Sequence, residues 1–407
     1  MSILTRAAST ALLALGLMPA AAFAQTHDHH ARDTAQTGDD PHAHMNHDAP
    51  NPKWRIHTHA ALSLVNSHQS GPRGGDKSFV AGMAMMMASR ALDDRNSLEL
   101  KAMLSPDPFM GKDGYPLLLQ AGETADGVNH LVDRQHPHDL FMGLTARLTH
   151  RFDGDITAFG EVGYPGEFAF GPTAFMHRPS GENFPTAPLT HHWFDSGHIT
   201  WGVVTAGVSK GPFTLEASQF TGREPDEKRF DFEEARLDST ALRLNWQVTP
   251  DLKAQASWAR QVSPEALEPD EDQTKSSLSV EYARDLGSLG GLRSTLAWAR
   301  KESQGGHSHG DDKPADGWLF ENTWVINPRW MVLGRYERIR SDELVHDPYW
   351  VAKTELGGVR TFRINDKATL GLGLVQQFNS VPDVLKPVYG NNPNGTIVFM
   401  TLKLNAM

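Results

Sequence analysis

Most of the twenty histidines in this chain fall into three groups, each with carboxylates beside it. Neutral imidazole is a strong ligand for Zn, Cu and Ni, so the first chemistry these groups suggest is metal binding. The N-terminal group is His27, His29, His30, His42, His44 and His47, with Asp28, Asp39, Asp40, Met45 and Asp48. No apolar period runs through it, so it is expected to be a disordered, mobile metal sponge. The competing reading is a merely soluble leader. With Gln25 as the mature N-terminus, Gln25-Thr26-His27 offers an amine, two backbone amides and an imidazole. That donor set suits square-planar Cu(II) or Ni(II).

The second group lies on two long connections. The first carries His130, Asp133, His136, His138 and Asp139, and the second carries His177, His191, His192, Asp195 and His198. Pro137 biases His136 towards extended backbone, so His136 and His138 are expected to project to the same side. Together these residues supply enough ligands for one or two nitrogen and oxygen sites holding Cu or Zn. None matches a recognised spacing such as His-Glu-x-x-His. For any single histidine, a hydrogen bond that fixes the loop is the simpler reading. A third group, His307-Ser308-His309 with Asp311 and Asp312, reads better as a solvated loop.

Two other patterns are weaker. Met83, Met85, Met86 and Met87 resemble a soft copper patch. Yet Met83, Met85 and Met87 share one strand face, so lipid-facing packing is expected. Asp195, Ser196 and His198 contain the residue types of a hydrolase triad. They are adjacent in sequence, whereas triad members converge from separate segments, and no Gly-x-Ser-x-Gly elbow occurs. Nor is there a phosphate-binding or dinucleotide-binding glycine motif. The chain is therefore not expected to be an enzyme.

The elements that must position these groups follow a period of two. Leu242, Leu244, Trp246 and Val248 alternate with Arg243, Asn245 and Gln247. After Thr249-Pro250-Asp251, Leu252, Ala254, Ala256 and Trp258 alternate with Lys253, Gln255 and Ser257. Each run is a half-buried strand, and the rhythm continues to the C-terminus. Counting such runs from Arg55–Val65 to Thr396–Leu404 predicts about sixteen strands, an even number as in bacterial barrels. Tight turns and long loops alternate, so the loops all emerge at one rim with both termini at the other. A transmembrane antiparallel β-barrel is the fold class expected, all-β, with strands near the length that crosses a bilayer. Trp324, Trp330, Tyr349 and Trp350 lie near strand ends, where aromatic girdles sit. Arg147, Glu161, Glu216, Arg243, Lys253, Glu281, Arg293, Arg335, Glu337, Lys353 and Glu355 are expected to face a wet, mixed-charge lumen. Ser105–Asp139 and Tyr164–Gly197 are the two long outer loops. Their Pro, Gly and aromatic content predicts that they are ordered and carry function or fold into the lumen.

The N-terminus reads as an export signal. Arg6 precedes the short apolar stretch Ala7–Leu17, and Ala22-Phe23-Ala24 fits a cleavage site. The organisation is then signal peptide 1–24, disordered His-rich tail 25–52 and barrel 53–407. Sec-type export to the outer membrane of a Gram-negative bacterium follows. No cysteine is present, which excludes disulfides and thiolate metal sites. The formal charge of -11 argues against nucleic acid as a partner. Metal ions and outer-membrane lipid are the partners expected, and no oligomeric state is assigned.

Three stretches carry a family resemblance. They are Asp133-Arg134-Gln135-His136-Pro137-His138-Asp139, His177-Arg178-Pro179-Ser180-Gly181-Glu182-Asn183 and His191-His192-Trp193-Phe194-Asp195-Ser196-Gly197-His198. With them the chain resembles a group of uncharacterised, porin-like outer-membrane proteins of proteobacteria. Such proteins resemble components of heavy-metal, especially copper, resistance systems. The resemblance implies a compartment and a theme but no mechanism. One departure is the ending Leu404-Asn405-Ala406-Met407, where such barrels usually end in an aromatic residue. The first functional reading is a barrel that binds or conducts transition-metal ions, copper first. The alternatives are a general diffusion porin with an incidental tail, and an envelope enzyme holding a metal at His136, His138, His192 and His198.

Overall fold

The computed structural model describes residues 53–305, 314–345 and 347–406. The signal and the His-rich tail expected from the sequence, and His307 and His309, lie outside them.

The first half of the chain forms β1 (Arg55–Gln69), β2 (Gly75–Ala91), β3 (Asn96–Leu104), β4 (Tyr115–Thr124), β5 (His130–Gln135), β6 (Phe141–Phe152), β7 (Ile156–Gly163), β8 (Val203–Lys210) and β9 (Phe213–Phe220). The second half forms β10 (Ser239–Thr249), β11 (Leu252–Gln261), β12 (Glu271–Asp285), β13 (Gly291–Gly305), β14 (Ala315–Asn327), β15 (Trp330–Ser341), β16 (Tyr349–Asn365), β17 (Ala368–Ser380) and β18 (Asn394–Ala406). All but β4 and β5 close into one antiparallel barrel, with β3 pairing β6 and β1 pairing β18. The expected sixteen strands are all there. At the closing seam Leu64 faces Met400 and Gln69 faces Gly395.

Alternation sets the two faces of the wall. Leu242, Leu244 and Trp246 are exposed on the outside, as are Leu356, Leu374 and Val398. Trp324, Trp330 and Trp350 are exposed at strand ends, where the girdles were expected. A closed antiparallel wall clad in apolar side chains has no unpaired edge and suits lipid on its outer face. The protein is thus built for the outer membrane of a Gram-negative bacterium. β2 and β16 reach 17 residues each, longer than a crossing requires, so the wall continues beyond the bilayer.

One face assignment is reversed. Met83 and Met85 are buried inside the barrel, while Met86 is exposed outside. Both faces of β2 are apolar here, so alternation alone did not separate them. Phe79 and Ala81, buried on the inner face, set the parity that Met83 and Met85 follow.

The interior is also drier than expected. The two long connections turn back into the barrel. In the first, β4 and β5 form an irregular hairpin, and every residue of β4 is buried. The second is a chain of turns with one helical turn, His191–Phe194. Leu118, Leu119, Leu189 and Trp193 pack on Ala297, Ala299, Leu319, Ile339 and Val351 of the wall. Each large apolar side chain buried this way contributes about 1.5–3 kcal/mol. Gly317 makes room for the indole, since a Cβ there would lie 2.7 Å from Trp193 Cγ. Arg335, Glu337, Lys353 and Glu355, expected to be solvated, are at most 2% exposed. Glu337 and Arg335 serve the inserted segments. Glu337 accepts hydrogen bonds from the backbone of Leu189 and Thr190, and Arg335 bridges Glu321 and Glu355.

Candidate metal centre

His138 of the first inserted segment meets His191 and His198 of the second. One ring nitrogen from each lies within 4.8 Å of the other two. All three side chains are buried. The ring centroids are 5.0 Å apart for His138 and His198, 5.2 Å for His191 and His198, and 5.9 Å for His138 and His191.

Each ring is held by its Nδ1. His138 Nδ1 lies 2.9 Å from Asp107 Oδ2. His191 Nδ1 lies 2.6 Å from Asp195 Oδ1, and His198 Nδ1 lies 2.6 Å from the Asp195 carbonyl oxygen. A neutral imidazole that donates from Nδ1 keeps its lone pair on Nε2. The Nε2 atoms of His138 and His198 are buried and have no hydrogen-bond partner. An oxygen behind each ring, with the open Nε2 of His138 and His198 in front, is the arrangement that outer-shell groups give metal-ligating histidines.

Local chain geometry explains the convergence. The helical turn at His191–Phe194 places Asp195 four residues from His191, on the same side. Asp195 Oδ2 accepts from Phe175 N at 2.9 Å and Arg178 Nη1 at 3.2 Å. Arg178 is fully buried and donates from Nε to Glu321 of the wall at 2.9 Å. The histidines are therefore anchored to β14 through Asp195 and Arg178.

Charge follows the same geometry. Burial pushes His191 and His198 below the ordinary histidine range, His198 well below it, with neighbouring imidazoles adding to the effect. Both are neutral at pH 7 and able to ligate. Burial opposes ionisation of Asp195, but His191 and Arg178 prevail and hold its carboxyl below the usual range.

A second pair sits beside the three. His136 Nε2 lies 3.1 Å from Glu123 Oε1, and the His136 and His192 rings are 5.3 Å apart. His192 lies over Gly122, where a Cβ would come within 2.9 Å of its ring. Burial holds both His136 and His192 well below the ordinary range. Burial pushes Glu123 up to about 8, against the pull of Arg229.

The other expected ligands are elsewhere. His130 is at the exposed start of β5, 3.0 Å from Glu268, and does not join the centre. His177 lines a cavity beside it. His198 sits in a tight turn ahead of β8, which begins at Val203. The hydrolase reading has no geometry. Ser196 Oγ faces Glu224 at 3.4 Å, and His198 Nδ1 is taken by a carbonyl. Asp107, Arg178 and Glu321 were not singled out as positioning residues. Their partners are 31, 17 and 143 residues away, so no local spacing marks them.

No family model and no curated protein matches the chain. Solved structures do. OmpF of Salmonella typhi, in complex with daunomycin, superposes with a TM-score of 0.55 at 7% identity, covering 88% of this chain and 99% of that one. In-vitro folded OmpT of Vibrio cholerae gives 0.52 at 8% identity, covering 87% and 98%. The fold is that of an outer-membrane porin. Within this porin fold, two cavities flank the histidines. One of ≈ 360 Å³ is lined by Thr157, Ser209 and Gln247 near the tight turns and by His198 at depth. One of ≈ 130 Å³ is lined by Thr361, Thr369 and Lys403 near the tight turns and by His138.

Proposed function

We propose that this porin-fold protein holds a transition-metal ion at His138, His191 and His198 and handles metal at the outer membrane. The convergence of three buried imidazoles, each braced at Nδ1 by oxygen, carries the reading. Unpartnered buried nitrogens are costly. A metal ion in front of them would repay that cost, and three neutral nitrogens suit copper or zinc. The cavities reach towards the tight-turn rim, which in such barrels faces the periplasm. The opposite end is filled by core packing, so the ion would come from the periplasmic side. In this reading the N-terminal histidines act as a reservoir that raises the local metal concentration.

The fold comparison favours a second reading, a diffusion channel for small solutes. The filled loop-side half speaks against free passage while the inserted segments stay in place. Metal analysis of protein purified from outer membranes, paired with planar-bilayer conductance, separates the two. The metal reading expects a bound ion that His198→Gln removes, extra sites lost on deleting residues 25–50, and little conductance. Metal-free protein with steady, metal-insensitive conductance would establish the diffusion channel instead.

A further inference from the structure

We infer that the ion this centre takes is soft and monovalent, of the Cu(I) or Ag(I) class, and that thioethers conduct it to the imidazoles. The inference rests on the metal reading above and names the ion.

Met83, Met85, Met103 and Met142 pack with Ile199 as one buried cluster, and Met87 and Met176 lie against it. Ile199 follows His198 in the chain, so the cluster adjoins the centre. The other three buried apolar clusters among the described residues are built from Leu, Ile, Val, Ala and aromatic residues, with no methionine among their buried members. Met110 and Met331 pack only at the edge of one of them, partly buried. Buried methionine is concentrated on β2, β3 and β6, beside the histidines.

The sulfurs also line both approaches. The larger cavity is lined by Met103, Met142 and Met176 together with His198. The smaller is lined by Met83 and Met176 together with His138. An ion that enters either cavity finds thioethers and imidazoles on the same lining. Thioether and imidazole together select soft ions, Cu(I) above all. These donors are also uncharged. Uncharged nitrogen and sulfur donors suit a soft monovalent ion better than a hard divalent one.

Ordinary packing makes a different forecast. Methionine fills irregular gaps, and leucine of similar volume would serve as well. The test uses full-length protein in detergent under anaerobic conditions, with Ag(I), chelator-buffered Cu(I) and Zn(II) as probes. The wild type is expected to take Ag(I) and Cu(I) in preference to Zn(II) by about tenfold or more. The triple variant Met103→Leu/Met142→Leu/Met176→Leu is expected to load Ag(I) about tenfold more slowly while binding Zn(II) unchanged. Its heat-dependent gel shift reports that the barrel is intact, and Met176→Leu alone serves if the triple variant fails that check. Zn(II) outcompeting both soft ions, or thioether variants loading Ag(I) at the wild-type rate, overturns the inference and leaves the three-histidine centre standing. Failure of all three probes to bind, with His198→Gln indistinguishable from wild type, removes the centre itself.

Discussion

The two ends of the barrel interior obey opposite rules. At the loop end, Leu118, Leu189 and Trp193 are packed against the wall as in a soluble core. At the tight-turn end, the wall lines cavities with Thr157, Thr214, Gln247 and Lys403. The histidines sit between the two. What differs is the source of the inner surface. Where the inserted segments arrive, their apolar side chains and backbone donors complete the wall's side chains. Where they do not reach, the wall must be wetted. The same barrel thus provides a dry setting on one side of the centre and polar access on the other.

The sharpest way to break this contrast is to remove the filling. Deleting residues 168–196 takes away the helical turn, Arg178 and one of the three ligands, His191. Steady bilayer conductance is expected to rise roughly tenfold or more as the loop end becomes a pore like the other end. Conductance unchanged from wild type would mean that the inserted segments do not close the barrel.

A milder change loosens the filling without removing it. Arg178→Ala leaves Asp195 and Glu321 buried without their shared cation, at a cost of about 3–5 kcal/mol. Amide exchange is expected to accelerate in the inserted segments and not in the wall. Metal affinity should fall about 10–100-fold, because Asp195 no longer orients two of the rings. Uniform acceleration through the wall would instead make Arg178 a support of the whole barrel.

The smallest effect concerns pH at the loop rim. Burial pushes Glu265 up to about 8, with Glu224 and Glu343 adding like charge. An unfolded glutamate ionises near ~4.3. Between those values the folded loop keeps a proton that the unfolded loop has lost. Its stabilisation is therefore complete below the lower value and declines as pH rises through about 8. Amide exchange in residues 262–270, corrected for the intrinsic rate, should be slower at pH 5 than at pH 8. Glu265→Gln should flatten that difference, and an identical difference in the variant would assign it to another group.

Much of this architecture was legible in the sequence because each wall strand has one lipid face. A period of two then marks the strand, and turn chemistry marks its ends. The hairpin was not legible, because Tyr115–Thr124 is buried on both faces and shows no alternation. The inner methionines were misplaced for a related reason: β2 is apolar on both faces. Within the centre, His136 and His138 and the His191–His198 run were visible as ligand types. That His138, His191 and His198 form one group, with His136 and His192 beside it and His130 apart, depends on how two distant loops meet.

The filling and its sockets come from opposite halves of the chain. Ser180 binds Glu321 across 141 residues, and Leu189 binds Glu337 across 148. Glu321 of β14 and Glu337 of β15 therefore meet segments synthesised long before them. The seam between β1 and β18 joins the two ends of the same wall, while the filling enters from connections within it. Filling the barrel thus depends on contacts of very long range, which are slow to form.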